Sequence, residues 1–585
     1  VLLLAQGSFA LPPIQTGAPS GLDEDQLAAM AHWGSVTDPN VAGLLAETMD
    51  TAVTSTLATV HVGYDKATGQ YLDDPSLVRS GSPRAVTPKA ETDIDPAVIA
   101  FGRSHQLQVT PGMAPALQQR LASAAAPDEY LVLQFTYPVD IQLKDALAAQ
   151  GVVFADPLDK LSFYAKVPAA AVTAVSQAID QGKINFVGQV PPAFHLSDGL
   201  QARLDSLSAE DAGLAVTVQL FETPTPAQLA ALEKLMTIER QSDGAMHLIE
   251  GMVAAHNVMA LAENTAVQLI QEQIPNESGS PEAPPAPVSP TVPHANLEGN
   301  LATGGDIVKQ TGYGGTDVNV MVIDSGIAHQ GSTYHPDLPL SRITDQYAWY
   351  PNVSTDAAAS DSHGTHVAAS IGGSGVASGD LAWQGIAPDV NFLIYRLCCN
   401  SSGYGYYDSD FQAALQRGAA RAGHVANNSW GGGNNTYAVS SQLADRAARG
   451  TYSNQWMNLV IITHNDNALS RSPGTAKNAI TVGAVKDGNW PQATVATCGG
   501  VSDDDWPPGE RICFSNYGPI NLDGDQHSRV KPDLMAPGVR ITSAVPWYFY
   551  GDNRYYDTMD GTSMAAPQVS GSVAQFLDAY PQFLS

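Results

Sequence analysis

The sequence predicts an α/β domain with a mainly parallel sheet, preceded by two smaller α+β modules. Apolar runs such as Val318–Ile323 alternate with helical patterns in the second half of the chain, as buried parallel strands do. Before them, the order strand, helix, strand, strand, helix, strand occurs twice, over residues 128–197 and 214–275. At 585 residues the chain is also too long for a single hydrophobic core.

Each of the two modules is predicted from its apolar periodicity. The first has strands YLVLQF, VVFADP, LSFYAKVP and INFVGQVP, with helices marked by Leu143, Leu147, Val172, Val175 and Ile179. The second has strands LAVTVQLF, MTIERQ, AMHLIEG and VQLIQEQIP, with helices marked by Leu229, Leu232, Leu235, Val258 and Leu261. This is the ferredoxin-like order of elements, repeated.

The regions around the modules carry weaker patterns. Residues 1–13 resemble the end of a signal peptide, and residues 14–127 give no readable function. The proline-rich stretch 276–300 predicts an exposed linker where proteolytic maturation would occur. The larger α/β domain would then occupy residues 301–585 and be truncated at its C-terminus, because one helix follows the last motif.

Composition limits the classes of partner. The chain has 28 basic and 58 acidic residues, a net charge of −30, which argues against nucleic acid or anionic membranes as partners. No stretch is long and apolar enough to span a bilayer. We expect a soluble, salt-tolerant, secreted monomer. Of the four cysteines, Cys498 and Cys513 are a plausible bridge, while Cys398 and Cys399 are adjacent and would be free or paired separately.

A serine in the last motif, DGTSMAAP, is a candidate nucleophile. Gly561 permits a tight turn, and Thr562 and Ser563 can cap the helix favoured by the following residues. The positive end of that helix favours negative charge developing nearby. Taken alone, however, such a serine is usually an N-cap.

Two further motifs supply partners for Ser563. Asp324 ends the apolar run Val318–Ile323, which places its carboxylate at the carboxyl edge of the sheet. In SDSHGTHVAASIGG, His363 precedes a helix of small residues and His366 lies within it. Together the motifs give a carboxylate, a base and a nucleophile in the chain order Asp, His, Ser.

These motifs resemble those of the subtilisin-like serine peptidases, whose triad has this order. The resemblance covers about residues 300–585. It implies that Asp324 orients His363, that His363 acts as general base and then acid, and that Ser563 attacks the scissile carbonyl. NSWG, PGTAKNAITVGA and KPDLMAPG are most similar to the oxidatively stable alkaline proteases among secreted bacterial members.

The resemblance also implies roles beyond the triad. Asn465, after the apolar run LVII, would help to bind the oxyanion. The backbone around Ser429, Trp430 and Gly431 would pair with an extended peptide substrate, although Trp430 could equally be a core aromatic residue. The chain departs from the family at His464 and Ser362, where glycine is usual, which affects local geometry and pocket shape.

The implied activity is that of a secreted serine endopeptidase that forms an acyl-enzyme and is made as an autoinhibited precursor. Its two modules would be a propeptide that acts as an intramolecular inhibitor, and a non-inhibitory binding domain is the alternative. No cofactor is required for the chemistry. Calcium is common in the family, but Asp503, Asp504 and Asp505 fit a solvated loop equally well, so no metal ligand is assigned. The alternative functions are a kexin-type processing peptidase and a catalytically silent binding protein.

Overall fold

The computed structural model comprises two units, residues 1–85 and 86–585. It describes residues 64–65, 70–71, 95–101, 105–123, 129–137, 139–159, 161–207, 213–273, 277–278, 303–349, 358–359, 361–379, 381, 383–397, 407–433, 435–486, 509–520, 529–549 and 554–584. The predicted signal-peptide remnant, Cys398, Cys399, Cys498 and the three aspartates at 503–505 lie outside these ranges. In the first unit, Tyr64–Asp65 pairs with Gln70–Tyr71.

A seven-stranded parallel sheet forms the centre of the larger domain, as the sequence predicts. In spatial order its strands are Ile343–Ala348, Asn391–Arg396, Asn319–Asp324, Val425–Asn428, Asn458–Ile462, Ile480–Val485 and Leu534–Pro537. Along Asn319–Asp324, Val320 and Val322 enter one core while Met321 and Ile323 enter the other. Both faces are therefore buried, which explains why this strand is an unbroken apolar run.

Helices cover both faces of the sheet and make a three-layer domain. His363–Gly372 and Thr562–Ala579 pack on one face, and Asp408–Ala419 and Val439–Ala448 on the other. Residues from the first pair of helices, including Val367 and Ala565, share one core, so the two helices are held side by side.

The first module has the predicted order of elements with an addition at its N-terminal side. In spatial order its strands are Gly112–Met113, Ile184–Gly188, Leu131–Phe135, Ser162–Lys166 and Val153–Pro157, and its helices are Pro115–Leu121, Ile141–Ala149 and Val172–Asp180. Leu117 and Leu121 join the same core as Leu131. The module therefore begins before residue 128, the predicted boundary. The added strand was not predicted because two residues carry too little pattern.

The second module repeats the arrangement without the added strand. In spatial order its antiparallel strands are Met236–Asp243, His247–Ala254, Gly213–Leu220 and Val267–Glu272, and its helices are Pro226–Leu232 and Val258–Ala262. Leu235 lies beyond the first of these helices, in the turn before the next strand. The preceding helix Asp198–Ser206 also packs here, through Leu200.

Shorter elements complete the described chain. Paired strands are Val98–Phe101 with His105–Gln108, His329–Gln330 with Thr333–Tyr334, Ile541–Ala544 with Tyr556–Met559, and Glu277–Ser278 with Trp430–Gly431. One further helix is Gly305–Gln310. Short 3-10 turns span Ala169–Ala171, Pro192–His195, Ala255–Asn257, Leu340–Arg342, Val376–Ser378 and Pro581–Phe583. Within the described ranges, none of the helices has the length and hydropathy needed to cross a bilayer.

Candidate active site

Asp324 and His363 meet at the carboxyl edge of the central sheet. Asp324 is the last residue of its strand, and His363 is the first residue of its helix rather than the residue before it. His363 Nδ1 lies 2.8 Å from Asp324 Oδ1, and both side chains are buried. Burial acts to lower the pKa of His363, but the charge and hydrogen bond of Asp324 outweigh it and the pKa is raised. The carboxylate therefore favours the imidazolium form.

The turn before the helix fixes the position of His363. Asp361 Oδ1 accepts a hydrogen bond from His363 N at 2.9 Å, and Ser325 Oγ accepts one from Gly364 N at 2.9 Å. A Cβ at residue 364 would lie 2.3 Å from Gly326 O, so the close approach of helix and strand requires glycine there. Sequence reasoning gave Asp361 no role, although its position two residues before His363 is typical of a capping turn.

Ser563 lies in the second position of helix Thr562–Ala579. Gly561 is its N-cap with φ 150°, and the cap makes no side-chain hydrogen bond, so the predicted capping by Thr562 and Ser563 is wrong. The Ser563 hydroxyl donates to Ser429 O at 3.0 Å, and the Ser429 hydroxyl donates to Ser563 O at 3.0 Å. These reciprocal bonds hold the helix start against Ser429, which lies between the strands Val425–Asn428 and Trp430–Gly431.

The hydroxyl of Ser563 is not bonded to His363 in this structure. His363 Nε2 is buried, and no hydrogen-bond partner for it occurs among the described residues. The helices that begin at His363 and Thr562 nevertheless pack against each other. Catalytic hydrogen bonds are often loose without substrate, so this geometry is compatible with proton transfer between the two side chains.

Asn465 is tied to the residue before Ser563. Its Oδ1 accepts hydrogen bonds from Thr562 N and Thr562 Oγ1, both at 2.8 Å. Since Oδ1 is occupied as an acceptor, the amide group Nδ2 is the part of Asn465 that can donate. The structure therefore holds Asn465 against Thr562, the residue before the candidate nucleophile.

The strand Trp430–Gly431 is paired with a short strand from the N-terminal part of the same chain. Glu277 pairs with Gly431 and Ser278 with Trp430 in antiparallel register. Glu277–Ser278 thus form a strand at a place where the sequence predicted a free linker. The Trp430 side chain is buried and packs edge-on against Phe411, so it is a core residue while its backbone is used for pairing.

The two positions where glycine is usual in the resembling family behave differently. Ser362 has φ −84°, a conformation that any residue adopts, so it needs no glycine. His464 has φ 92°, which is rare for a residue with a Cβ. The residue is 8% exposed, and its Cδ2 lies 3.5 Å from the position a Cβ would take at Gly431. Sequence reasoning singled out His464 as a departure but gave it no function.

Asp466 joins His464 in a small polar cluster with Arg471. Its Oδ1 lies 3.6 Å from His464 Nδ1, and its other oxygen forms an ion pair with Arg471. Burial acts to raise the pKa of Asp466, yet His464, Asn516 and Arg471 together lower it to about 2. The carboxylate is therefore ionised throughout the physiological range.

The region that contains this site is similar to known proteins. The model of the subtilase family, Peptidase S8, matches residues 315–585. Subtilisin DY of Bacillus licheniformis is 30% identical over 286 residues, which are 47% of this chain and 82% of that protein. Alkaline serine exoprotease A of Vibrio alginolyticus is 32% identical over 272 residues, or 45% of this chain and 39% of that protein.

A solved structure and a further relative each match nearly half of the chain. The crystal structure of a cold adapted subtilisin-like serine proteinase is 28% identical, covers 46% of this chain and 81% of that chain, and has a TM-score of 0.33. The extracellular serine proteinase of a Thermus strain is 32% identical over 278 residues, 46% of this chain and 52% of that protein. The match of the family model, residues 315–585, contains the candidate residues Asp324, His363, Asn465 and Ser563.

Proposed function

The chain belongs to the subtilase family of serine endopeptidases, and we propose that it is a secreted member made as an autoinhibited precursor. The observation that carries this proposal is the pairing of Glu277–Ser278 with Trp430–Gly431, directly beside Ser429 and Ser563. An extended segment paired to a strand next to the nucleophile is the arrangement a peptide substrate would adopt. Here the chain's own segment occupies it.

The proposed chemistry proceeds through an acyl-enzyme. Ser563 Oγ turns from Ser429 O towards His363 Nε2, gives it the proton and bonds to the scissile carbonyl carbon. His363 then protonates the departing amine as the C–N bond breaks. Water hydrolyses the ester by the same steps, which restores Ser563. Asp324 holds the ring and stabilises its charged form, and Asn465 Nδ2 donates to the oxyanion.

No cofactor enters these steps, because side chains of this chain supply the nucleophile, the base and the donor. Calcium, which the family resemblance implies, has no ligand set that we can assign. Within the described residues, no group of three or more His, Cys, Asp or Glu side chains is arranged to hold a metal ion. Cys513 is disulfide-bonded, and its partner lies outside the described ranges.

Docking of the N-terminal modules supports the inhibitory role. Gln271 Oε1 accepts from Val439 N at 3.0 Å, and Glu250 Oε1 accepts from Ser409 N at 3.3 Å. Side chains of the second module thereby bind backbone donors at the starts of two helices of the catalytic domain. We propose that both modules are ferredoxin-like and that they form the propeptide of a monomeric precursor related to the oxidatively stable alkaline proteases.

Self-cleavage is tested with the variant Ser563→Ala. We expect wild-type protein to acquire a new N-terminus within residues 276–300, close after Ser278, and purified Ser563→Ala to stay at full length. A serine-directed fluorophosphonate should label the wild type and not the variant. Wild-type protein that is neither cut nor labelled would identify a silent binding protein. Equal processing of purified Ser563→Ala would exclude self-maturation.

Asn465→Ala tests the oxyanion assignment. Loss of one preorganised donor should lower kcat by about a hundredfold to a thousandfold with a smaller change in KM, because the bond strengthens in the transition state. The enzyme would be matured by added wild-type protease before assay. A variant that loses affinity for peptide but keeps kcat would assign Asn465 to ground-state binding instead.

A further inference from the structure

The space beside Ser563 is bounded by two segments of the catalytic domain. On one side, Ser429 O accepts from the Ser563 hydroxyl at 3.0 Å. On the other, Asn465 Oδ1 accepts from Thr562 N at 2.8 Å. A carbonyl carbon attacked by Ser563 must lie between these segments. The side chain of the residue that carries this carbonyl, here called the scissile residue, would enter the space between them.

A third segment closes this space on the far side. Arg471 N donates to Thr463 O at 3.3 Å, next to His464, and Gly432 N donates to Ser472 O at 3.2 Å, next to Gly431. Residues 471–472 therefore bridge the two walls. The space between the two walls, bounded by this bridge, is here called the pocket.

His464 belongs to the wall that contains Asn465, and its ring reaches the opposite wall. Its Cδ2 lies 3.5 Å from the Cβ position of Gly431 on the opposite wall, and the residue is 8% exposed. Neither ring nitrogen has a hydrogen-bond partner among the described residues, and Asp466 Oδ1 lies 3.6 Å from Nδ1, beyond a hydrogen bond. The ring thus narrows the space between the walls, and its Nε2 has no hydrogen-bond or ion-pair partner among the described residues, while Nδ1 lies near the Asp466 carboxylate.

The backbone at His464 is held in an unfavourable conformation. Its φ is 92°, a conformation that is unfavourable for a residue with a Cβ and not for glycine. Asn516 N donates a hydrogen bond to His464 O at 2.9 Å, which holds the peptide in this conformation. A strained residue beside a nucleophile is the kind of outlier that points to a functional role.

We propose that His464 determines substrate specificity by filling the pocket for the scissile residue, so that the enzyme prefers substrates with a small side chain at that residue. This proposal rests on the proposed protease function. A large apolar side chain would collide with the ring and would bury its nitrogens without partners. The chain's own segment agrees with this preference, since Ser278, Gly279 and Ser280 follow the paired Glu277 in the sequence.

The test compares matured wild type with His464→Gly and with the control Asn467→Gly. Asn467 lies in the same loop at φ 53°, but its side chain binds Arg511 at 3.2 Å. The substrates are internally quenched peptides that differ only in the scissile residue: Ala, Ser, Leu or Phe. We expect wild type to prefer Ala to Phe by about tenfold or more in kcat/KM, and His464→Gly to raise kcat/KM for Phe by about tenfold. Asn467→Gly should leave the ratio unchanged.

The outcomes separate this proposal from the protease function. Wild type that is active but cleaves Phe as well as Ala, or His464→Gly with an unchanged ratio, overturns the role of His464 and leaves the protease function intact. The same shift in Asn467→Gly would assign the effect to loop mobility and also overturn it. His464→Ala provides a second variant with the same expected shift if the glycine variant has a lower Tm. No hydrolysis of any peptide and no fluorophosphonate labelling by wild type would refute the protease function itself.

Discussion

The two N-terminal modules share one topology but differ in the face of the sheet that their own helices leave uncovered. In the first module this face carries Val132 and Tyr164, and the hairpin Val98–Phe101 with His105–Gln108 covers it through Ile99 and Phe101. In the second module the face carries a cross-strand row of polar residues. Glu250 and Gln271 each pair directly with Thr217, and all three are buried.

Under the proposed inhibitory role, the difference implies that topology alone does not make an inhibitor. A polar row on a sheet can bind the unpaired amides at helix N-termini, whereas an apolar face closed by its own hairpin cannot. The second module meets the helices that begin at Asp408 and Val439 in this way. A contact from the first module, between Asp156 Oδ1 and Arg446 at 2.6 Å, is a partly exposed ion pair. We therefore expect inhibition to depend on the second module.

Gln412→Ala should produce the largest effect on docking. Gln412 is fully buried and its amide binds both Met246 N, at 2.8 Å, and Met246 O, at 3.0 Å. Leaving two buried backbone groups unpaired costs roughly 1–3 kcal/mol each, so the inhibition constant of the separated N-terminal segment should rise about a hundredfold. Titration of matured enzyme with that segment measures it. A change below threefold would show that the second module does not carry the docking energy.

The pH dependence of inhibition tests the polar row itself. Burial, and then the nearby charge of Asp408, raises the pKa of Glu250 to about 8, and burial raises that of Asp408 to about 7. Asp410, whose pKa burial raises to about 6, is paired with Arg240. Acids with a raised pKa in the docked state take up protons on docking. Docking is then tightest below the ordinary carboxyl pKa of about 4 and weakens as pH rises to about 8.

The inhibition constant should accordingly rise by about tenfold or more from pH 5 to pH 8. Glu250→Gln, which is neutral at every pH, should flatten this dependence. Inhibition that strengthens with rising pH, or an equally steep profile in Glu250→Gln, would contradict the assignment. Activity of the enzyme without inhibitor, measured at each pH, corrects for the titration of His363.

Asp156→Ala should have the smallest effect. The Asp156 side chain is 33% exposed, and a partly exposed ion pair contributes about 1 kcal/mol. The inhibition constant should change less than about fivefold. A loss as large as that for Gln412→Ala would mean that the first module is an inhibitor in its own right, and the contrast between the modules would fail.

The sequence predicts those parts of the molecule that depend on local pattern. The parallel sheet follows from apolar runs, and the family follows from motifs around Asp324, His363 and Ser563. The pairing of Glu277–Ser278 with Trp430–Gly431 could not be predicted, because two residues have no periodicity and their partner is distant in sequence. The orientation of the Ser563 hydroxyl depends on tertiary contact with Ser429. The conformation of His464 is likewise imposed by packing, against the preference of the residue itself.

The short strand Trp430–Gly431 has a consequence for which proteins this enzyme can digest. Pairing with it requires a partner whose own backbone amides and carbonyls are unoccupied over several residues. Helices and inner strands of a folded protein do not offer such a segment until they open locally. Digestion of a compact protein would then follow the fraction of molecules that are open at any moment, so the enzyme would act on stable proteins slowly and on unfolded ones at once.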